Sequence, residues 1–460
     1  MNKYHFIGVG GIGMGALASL ALAKGYTVSG SDVKEGAMVQ RLRQEGAEIY
    51  IGHDANHLRE VDVVVYSSAI AKDNPEMVAA GNQKVKLLKR AEFLAQLMQG
   101  SIEIAVAGAH GKTTTSSMIA LLLIQAGLNP TTAVGGIIDG SLHNAALGQG
   151  EYFVAEVDES DGSFLYFSPR YAVITNIDFE HVDYYKSWEN ILDAYQQFIS
   201  QVDPEGCLVV CGEDERLRLL LKDCQTECLT YGMSEECDVF AKNVRARDGR
   251  EYAQVFSCFL KGEFLGEICL SVPGRHNVLN ALACVALSQK LSIDFSVVQE
   301  TLRCYQGVNR RFQIVGDFLD VTVVDDYAHH PTEIAATIQT AKDVAKARLV
   351  TIFQPHRYSR TKFLMDGFVE SLSRAEQLIL TDIYAASEEP IDGVSSEILY
   401  ERLRCEKGED VMYLKKDEIV PHLLDYVEPE DMVLFLGAGD ISRVAKEFAQ
   451  ALKVKEVSRN

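Results

Sequence analysis

Residues 102–127, IEIAVAGAHGKTTTSSMIALLLIQAG, decide the reading of the fold. An apolar run with β-branched residues predicts a strand, Gly108 to Gly111 interrupt it, and the stretch from Lys112 predicts an amphipathic helix. The same order occurs in residues 5–25, HFIGVGGIGMGALASLALAKG. RLVTIFQ (348–354) and VLFLGAGD (433–440) are further strands with helical segments after them. Such alternation predicts parallel sheets covered by helices, with ligands at the carboxyl ends of the strands. Breaks near 98–101 and 306–309 divide the chain into three α/β domains, 1–98, 99–305 and 306–460.

The whole chain agrees with that division. Its 460 residues exceed one hydrophobic core, and domains of roughly 100–200 residues are usual. With 47% hydrophobic and 24% charged residues it is an ordinary globular composition and not a disordered one. A net charge of −21 argues against nucleic-acid or anionic-membrane binding, although nearly all of that acidity lies outside residues 1–98. The opening MNKYHFIGVGG does not read as a signal peptide, and no run approaches the length of a membrane span. None of the ten cysteines forms Cys-x-x-Cys. The pairs Cys207/Cys211 and Cys224/Cys228 lack a neighbouring histidine, so buried free thiols in a reducing cytoplasm are expected in place of zinc.

Two glycine loops carry the chemistry. Gly8-Val9-Gly10-Gly11-Ile12-Gly13 follows a predicted strand and opens a helix, and Asp32 ends the next strand. This is the dinucleotide-binding pattern of a Rossmann-like domain: the glycines admit a pyrophosphate to the backbone and the helix N-terminus stabilises its charge. Asp32 is placed to accept from a ribose hydroxyl; tight strand–helix packing is the alternative. The second loop, Gly108-Ala109-His110-Gly111-Lys112-Thr113-Thr114-Thr115, is a P-loop shortened by Val106, where the full pattern has glycine. Its backbone amides suit phosphate oxygens, Lys112 the β/γ-phosphates and the Thr113 hydroxyl Mg²⁺. The central domain therefore reads as P-loop ATPase-like with a mostly parallel sheet. A dehydrogenase would use one such loop; an ATP-driven enzyme acting on a nucleotide-linked substrate would use both.

Acidic and imidazole groups follow at later strand ends, in Glu156-Val157-Asp158-Glu159-Ser160-Asp161 and Asn176-Ile177-Asp178-Phe179-Glu180-His181. Alone they are equally a solvated loop; with Lys112 and Thr113 they read as a metal site. Asn277 and Asn280 share a helix face suited to an adenine edge, or one of them caps the helix. In the third domain, also Rossmann-like, Arg357 and Arg360 suit a carboxylate, and Arg310-Arg311 at the domain junction suit phosphates.

Taken in order, GVGGIGMG (8–15), GAHGKTTT (108–115), EVDESD (156–161), TNIDFEHVDYY (175–185), PGRHNVLNA (273–281), DDYAHHPTE (325–333) and FQPHRYSRT (353–361) resemble the Mur ligases of bacterial cell-wall synthesis, from about residue 5 to Asp440. The resemblance implies that Gly10, Gly11, Gly13, Asp32, Ser67 and Ser68 bind the UDP part of UDP-N-acetylmuramate. It implies an ATP site of Gly108, His110, Gly111, Lys112, Thr113, Thr114, Asn277, Asn280, Arg311 and Asp326, with Mg²⁺ on Thr113, Glu156 and His181. Tyr327, His329, His356, Arg357 and Arg360 match the region that receives the amino acid, here expected to be L-alanine.

The implied reaction runs through an acyl phosphate on the lactyl carboxylate, which the amine of L-alanine then attacks. Lys112, Arg357 and His329 are its expected catalytic groups, His329 or a carboxylate taking the amine's proton. Two departures from the family pattern matter. Ala109 stands where threonine is usual, and the stretch 191–196, ILDAYQ, lacks the modified lysine of the later ligases of the pathway. The second departure fits the alanine-adding members. A ligase that recycles preformed peptide, an NAD-dependent dehydrogenase and a non-catalytic nucleotide-binding regulator are the competing readings. A cytoplasmic monomer or homodimer is expected.

Overall fold

The anticipated apolar runs form strands, and in the computed structural model residues 3–136, 144–247 and 250–459 are described. Among the described residues the strands make three sheets in succession along the chain, the three-domain α/β class expected. The first sheet contains β1 (Lys3–Ile7), β2 (Thr27–Asp32), β3 (Glu48–Ile51), β4 (Val63–Tyr66) and β5 (Lys86–Lys89). Its order is β3-β2-β1-β4-β5, every pair parallel. Chain progression reverses between β1 and β4, and a crevice for a ligand opens beyond the carboxyl ends of strands at such a point. The glycine loop follows β1, and Ser67-Ser68 follows β4.

The second sheet contains β6 (Ile102–Ala107), β7 (Thr131–Ala133), β8 (Ala145–Ala146), β9 (Tyr152–Glu156), β10 (Tyr171–Ile174), β11 (Cys207–Cys211), β12 (Glu227–Gly232), β13 (Val239–Arg247), β14 (Arg250–Leu260) and β15 (Glu263–Leu270). Its order is β15-β14-β13-β12-β11-β10-β6-β9-β7-β8. β6 lies between β10 and β9, parallel to both, so the P-loop emerges beside the ends of those two strands. The helix after it, Lys112–Gln125, departs from the expected amphipathic pattern. Thr114 to Ala120, Leu122 and Leu123 are all buried, so nearly every face is covered, as sandwiched helices of α/β proteins require.

The third sheet contains β16 (Gln313–Phe318), β17 (Val321–Asp326), β18 (Leu349–Phe353), β19 (Gln377–Leu380), β20 (Val411–Tyr413) and β21 (Met432–Leu436). Its order is β16-β17-β21-β18-β19-β20, antiparallel at β16/β17 and parallel elsewhere. Strand alternation divides its core in two: Met432, Leu434 and Leu436 enter one apolar cluster, Val433 and Phe435 the other.

The chain forms two compact units. One comprises Met1–Val244, Val255–Cys269 and Leu279–Tyr305; the other comprises Arg245–Gln254, Leu270–Val278 and Gln306–Asn460. All ten cysteines are free thiols; Cys207 and Cys211 are buried, whereas Cys224 and Cys228 are half-buried. Among the described residues no helix is long and apolar enough to cross a membrane.

Candidate active site

The glycine loop is shaped by the end of β2. The Ser31 carbonyl accepts from the amides of Gly8 at 2.8 Å and Val9 at 3.0 Å, and Asp32 Oδ2 accepts from the Gly10 amide at 2.8 Å. Asp32, expected at a ribose, thus also braces the loop. A Cβ on residue 10 would lie 2.8 Å from that same oxygen, which is why glycine stands there. Gly11 precedes helix Ile12–Ala23, whose first turn has no side-chain cap and no acidic residue, leaving its amides to an anion. Gly13 faces Arg90, whose guanidinium also approaches Asp158 at 3.6 Å. Sequence reasoning missed this cation, since nothing in KRAEF separates it from a surface arginine. Ser31 also donates to the fully buried Glu76, around which His5, His53 and His57 gather.

The P-loop is buttressed by the end of β10. The Ala109 amide donates to the Asn176 carbonyl at 3.1 Å and the His110 amide to Asn176 Oδ1 at 2.8 Å. Asn176 Nδ2 and Thr175 Oγ1 return bonds to the His110 carbonyl at 3.0 and 2.6 Å. The His110 ring pairs with Asp178 at 2.8 Å. Gly108, at φ +129°, packs so closely that a Cβ would lie 2.1 Å from Thr175 Oγ1. Gly111 adopts φ +81° beside Asn280, whose Oδ1 accepts from Thr115 at 3.1 Å. Asn277 donates to the Pro273 carbonyl at 2.6 Å. Thr113 and Thr114 lie in the first turn of the helix that Lys112 begins.

Lys112 is the centre of the site. Its ammonium reaches the Gly108 carbonyl at 2.5 Å, the Ala109 carbonyl at 3.1 Å and the Glu159 carboxylate at 2.9 Å. Burial alone would lower its pKa, but Glu159, Asp158 and Glu156 together hold it raised, so the lysine stays cationic. Glu159, Glu180 and His181 converge: His181 Nε2 lies 3.5 Å from a carboxylate oxygen of each. His181 sits at φ +55°, a conformation that a non-glycine residue adopts only when its surroundings impose it. Glu156, grouped with His181 from the sequence, accepts from the Gly135 amide at 2.8 Å. Carboxylates with one imidazole and a threonine hydroxyl suit a hard divalent cation such as Mg²⁺. Within EVDESD nothing singles out Glu159, because its meeting with Lys112 depends on how β9 and β6 align.

In the second unit, the predicted amino-acid residues meet at the ends of β17 and β18. Arg310 and Arg311 lie over the Tyr327 ring at 4.8 and 5.3 Å. The His329 ring meets that of His356 at 5.9 Å, and His356 stacks on Tyr384 at 5.6 Å. His329 Nδ1 lies 3.0 Å from the Tyr327 carbonyl, which requires the proton on that nitrogen and leaves Nε2 as the acceptor. Burial, assisted by Arg360 and Arg311 against Glu333, pushes the His329 pKa down to about 3. Burial, then Arg360 and Arg357, pushes His356 down to about 4. Arg360 donates to His356 Nδ1 at 3.0 Å.

Arg357, at φ +72°, pairs through Nε with Glu388 at 2.7 Å, and Glu388 also takes the Ser359 amide and hydroxyl. Glu388 escaped sequence reasoning because it lies on a separate loop without a motif. Asp326 accepts from the amides of Phe312 and Ala328, each at 2.7 Å, so its carboxylate braces the backbone.

Three family models match the chain in order: the Mur ligase family catalytic domain over residues 3–101, the Mur ligase middle domain over 106–288, and the Mur ligase glutamate ligase domain over 310–439. The UDP-N-acetylmuramate–L-alanine ligase of Geotalea uraniireducens is 46% identical over 98% of this chain and 98% of its own length. Among solved structures, the UDP-N-acetylmuramate–alanine ligase of Thermotoga maritima superposes with a TM-score of 0.82 at 32% identity, covering 99% of this chain and 100% of the other. The murein peptide ligase of Psychrobacter arcticus gives a TM-score of 0.72 at 25% identity, covering 98% and 99%.

Proposed function

The chain belongs to the Mur ligase family, and from that premise we propose that it is an ATP-dependent ligase joining L-alanine to the lactyl carboxylate of UDP-N-acetylmuramate, with release of ADP and phosphate, in peptidoglycan precursor synthesis. The observation that carries this reading is the presence in one chain of two phosphate-ready loops, the second with a half-buried lysine that Glu159, Asp158 and Glu156 keep cationic. The division of labour follows 1–98 for the UDP moiety, 99–305 for ATP and 306–460 for the amino acid, in the cytoplasm where ATP is supplied.

Gly10, Gly11, Gly13, Arg90 and Ser67-Ser68 offer amides, a cation and hydroxyls to the UDP pyrophosphate, with Asp32 at the ribose. Lys112 neutralises the γ-phosphate as the lactyl carboxylate approaches, which is the main electrostatic obstacle between two anions. Mg²⁺, bound among Thr113, Glu156 and His181, would add further charge neutralisation on the ATP phosphates. Arg357 and Arg360 bind the L-alanine carboxylate. His329, neutral at physiological pH, accepts a hydrogen bond from the attacking amine. Its depressed pKa makes it an orienting acceptor and a poor store for the proton, which the departing phosphate takes as the amide forms.

Phosphate release from ATP, measured with UDP-N-acetylmuramate and a panel of amino acids and peptides, tests the reading. Turnover with L-alanine is expected. Turnover only with a peptide would select the recycling ligase, and NAD binding without turnover would select the dehydrogenase.

A further inference from the structure

Asp325, near the end of β17, is 0% exposed, and neither of its carboxylate oxygens has a hydrogen-bond partner among the described residues. Arg310 Nε, buried and equally without one, forms an ion pair with Oδ2 at 3.5 Å. A carboxylate so placed is costly unless a cation faces it. Burial pushes its pKa up to about 6, with Arg310 and Lys446 acting downward and Asp326 upward. Gln313 and Phe435, opposite it on the adjoining strands, carry no charge.

The other end of the Arg310 guanidinium reaches two sides of the amino-acid site. One terminal nitrogen donates to the Gly437 carbonyl at 2.6 Å and the Gly439 carbonyl at 3.3 Å, in the loop after β21. The guanidinium also covers the Tyr327 ring, and the Tyr327 amide donates to the Arg310 carbonyl at 2.7 Å. Gly439 in turn packs on Tyr384, where a Cβ would lie 2.7 Å from Cγ, and Tyr384 stacks on His356. Arg310 itself sits at φ +62°, a conformation that persists in a non-glycine residue only when its surroundings impose it. Arg311 takes no part, since it pairs with Glu333 at 3.4 Å.

We propose that Arg310 and Asp325 are a positioning pair for the ligase reaction: the carboxylate fixes the guanidinium, which holds the Tyr327 side and the Tyr384–His356 side at the separation that L-alanine requires. Neither residue touches substrate in this role, which rests on the alanine-adding reading. Asparagine at 325 keeps the shape and removes the charge. Lysine at 310 keeps the charge, but a single ammonium lacks the planar fork that meets the carboxylate at one end and the loop carbonyls at the other.

Initial rates of phosphate release by the full chain test it, with MgATP, UDP-N-acetylmuramate and varied L-alanine. Near pH 8, Asp325→Asn and Arg310→Lys are each expected to raise the KM for L-alanine about tenfold, as one weakened charge-assisted contact would. The KM values for ATP and UDP-N-acetylmuramate are expected to stay as in the parent, and kcat to change less than the KM for L-alanine. As the pH falls, kcat/KM for L-alanine in the parent is expected to drop with an inflection near 6, where Asp325 gains a proton, and Asp325→Asn is expected to lack that inflection. An unchanged KM for L-alanine in either folded variant, an equal rise in all three KM values, or the same inflection in Asp325→Asn overturns the pair. Should one variant lose its thermal transition, the KM values of the other decide. Absence of turnover with L-alanine in the parent overturns the alanine-adding reading and the pair with it, and is seen before any variant is compared.

Discussion

Lys112 is held by two loop carbonyls and a carboxylate, partners that a phosphate can replace without moving the backbone. Lys112→Ala is therefore expected to lower kcat for phosphate release by roughly 100- to 1000-fold, the range for removal of one aligned electrostatic group, with an unchanged circular dichroism spectrum. Arg357 acts on a different step. Arg357→Ala is expected to raise the KM for L-alanine by about 10- to 100-fold, the loss of one charge-assisted bond, with a smaller change in kcat and none in the KM for ATP. An unchanged KM for L-alanine would remove Arg357 from the amino-acid site. The half-buried imidazoles set a pH dependence. His329 and His356 are neutral in the folded state, with pKa values near 3 and 4, and protonate near 6.5 once unfolded. Below that value the unfolded chain binds more protons, so stability falls as pH drops from about 6.5 toward 4. A melting temperature lower at pH 5 than at pH 7 is expected, with a smaller difference in His356→Asn.

At the scale of elements, the P-loop shows what a short motif leaves unsaid. Gly108 and Lys112 were legible because a strand, two glycines and a lysine in that order serve few other ends. The bracing was not legible: Asn176 and Thr175 lie more than sixty positions away and meet the loop only because β10 pairs with β6. Gly108→Ala is expected to cost about 2–4 kcal/mol of stability in denaturant unfolding, since it combines a φ near +129° with a clash against Thr175. The Lys112–Gln125 helix teaches the converse. Its sequence predicts an amphipathic helix, but tertiary packing covers its small polar residues too, and Ser117 bonds the Tyr305 hydroxyl at 2.6 Å.

At the scale of the molecule, two compact units each carry their own core. Calorimetry is expected to resolve two transitions, and MgATP at a hundredfold excess over its Kd to stabilise the unit holding the P-loop by about 2.7 kcal/mol. A single transition unaffected by MgATP would contradict that assignment. The charge of −21 does not oppose binding of small anions, because loop amides, Lys112 and Arg90 act at contact distance while exposed charges are screened beyond about 8–10 Å. The linear order of residues determined the α/β class, the two phosphate loops and the family, because glycine spacing and apolar periodicity are local properties of the chain. Only the tertiary structure decided that Lys112 meets Glu159, that His181 stands with Glu180, and that Arg357 is held by Glu388. Those pairings arise from strand order and loop closure, and electrostatic partnership depends on distance in space, which the sequence states only indirectly.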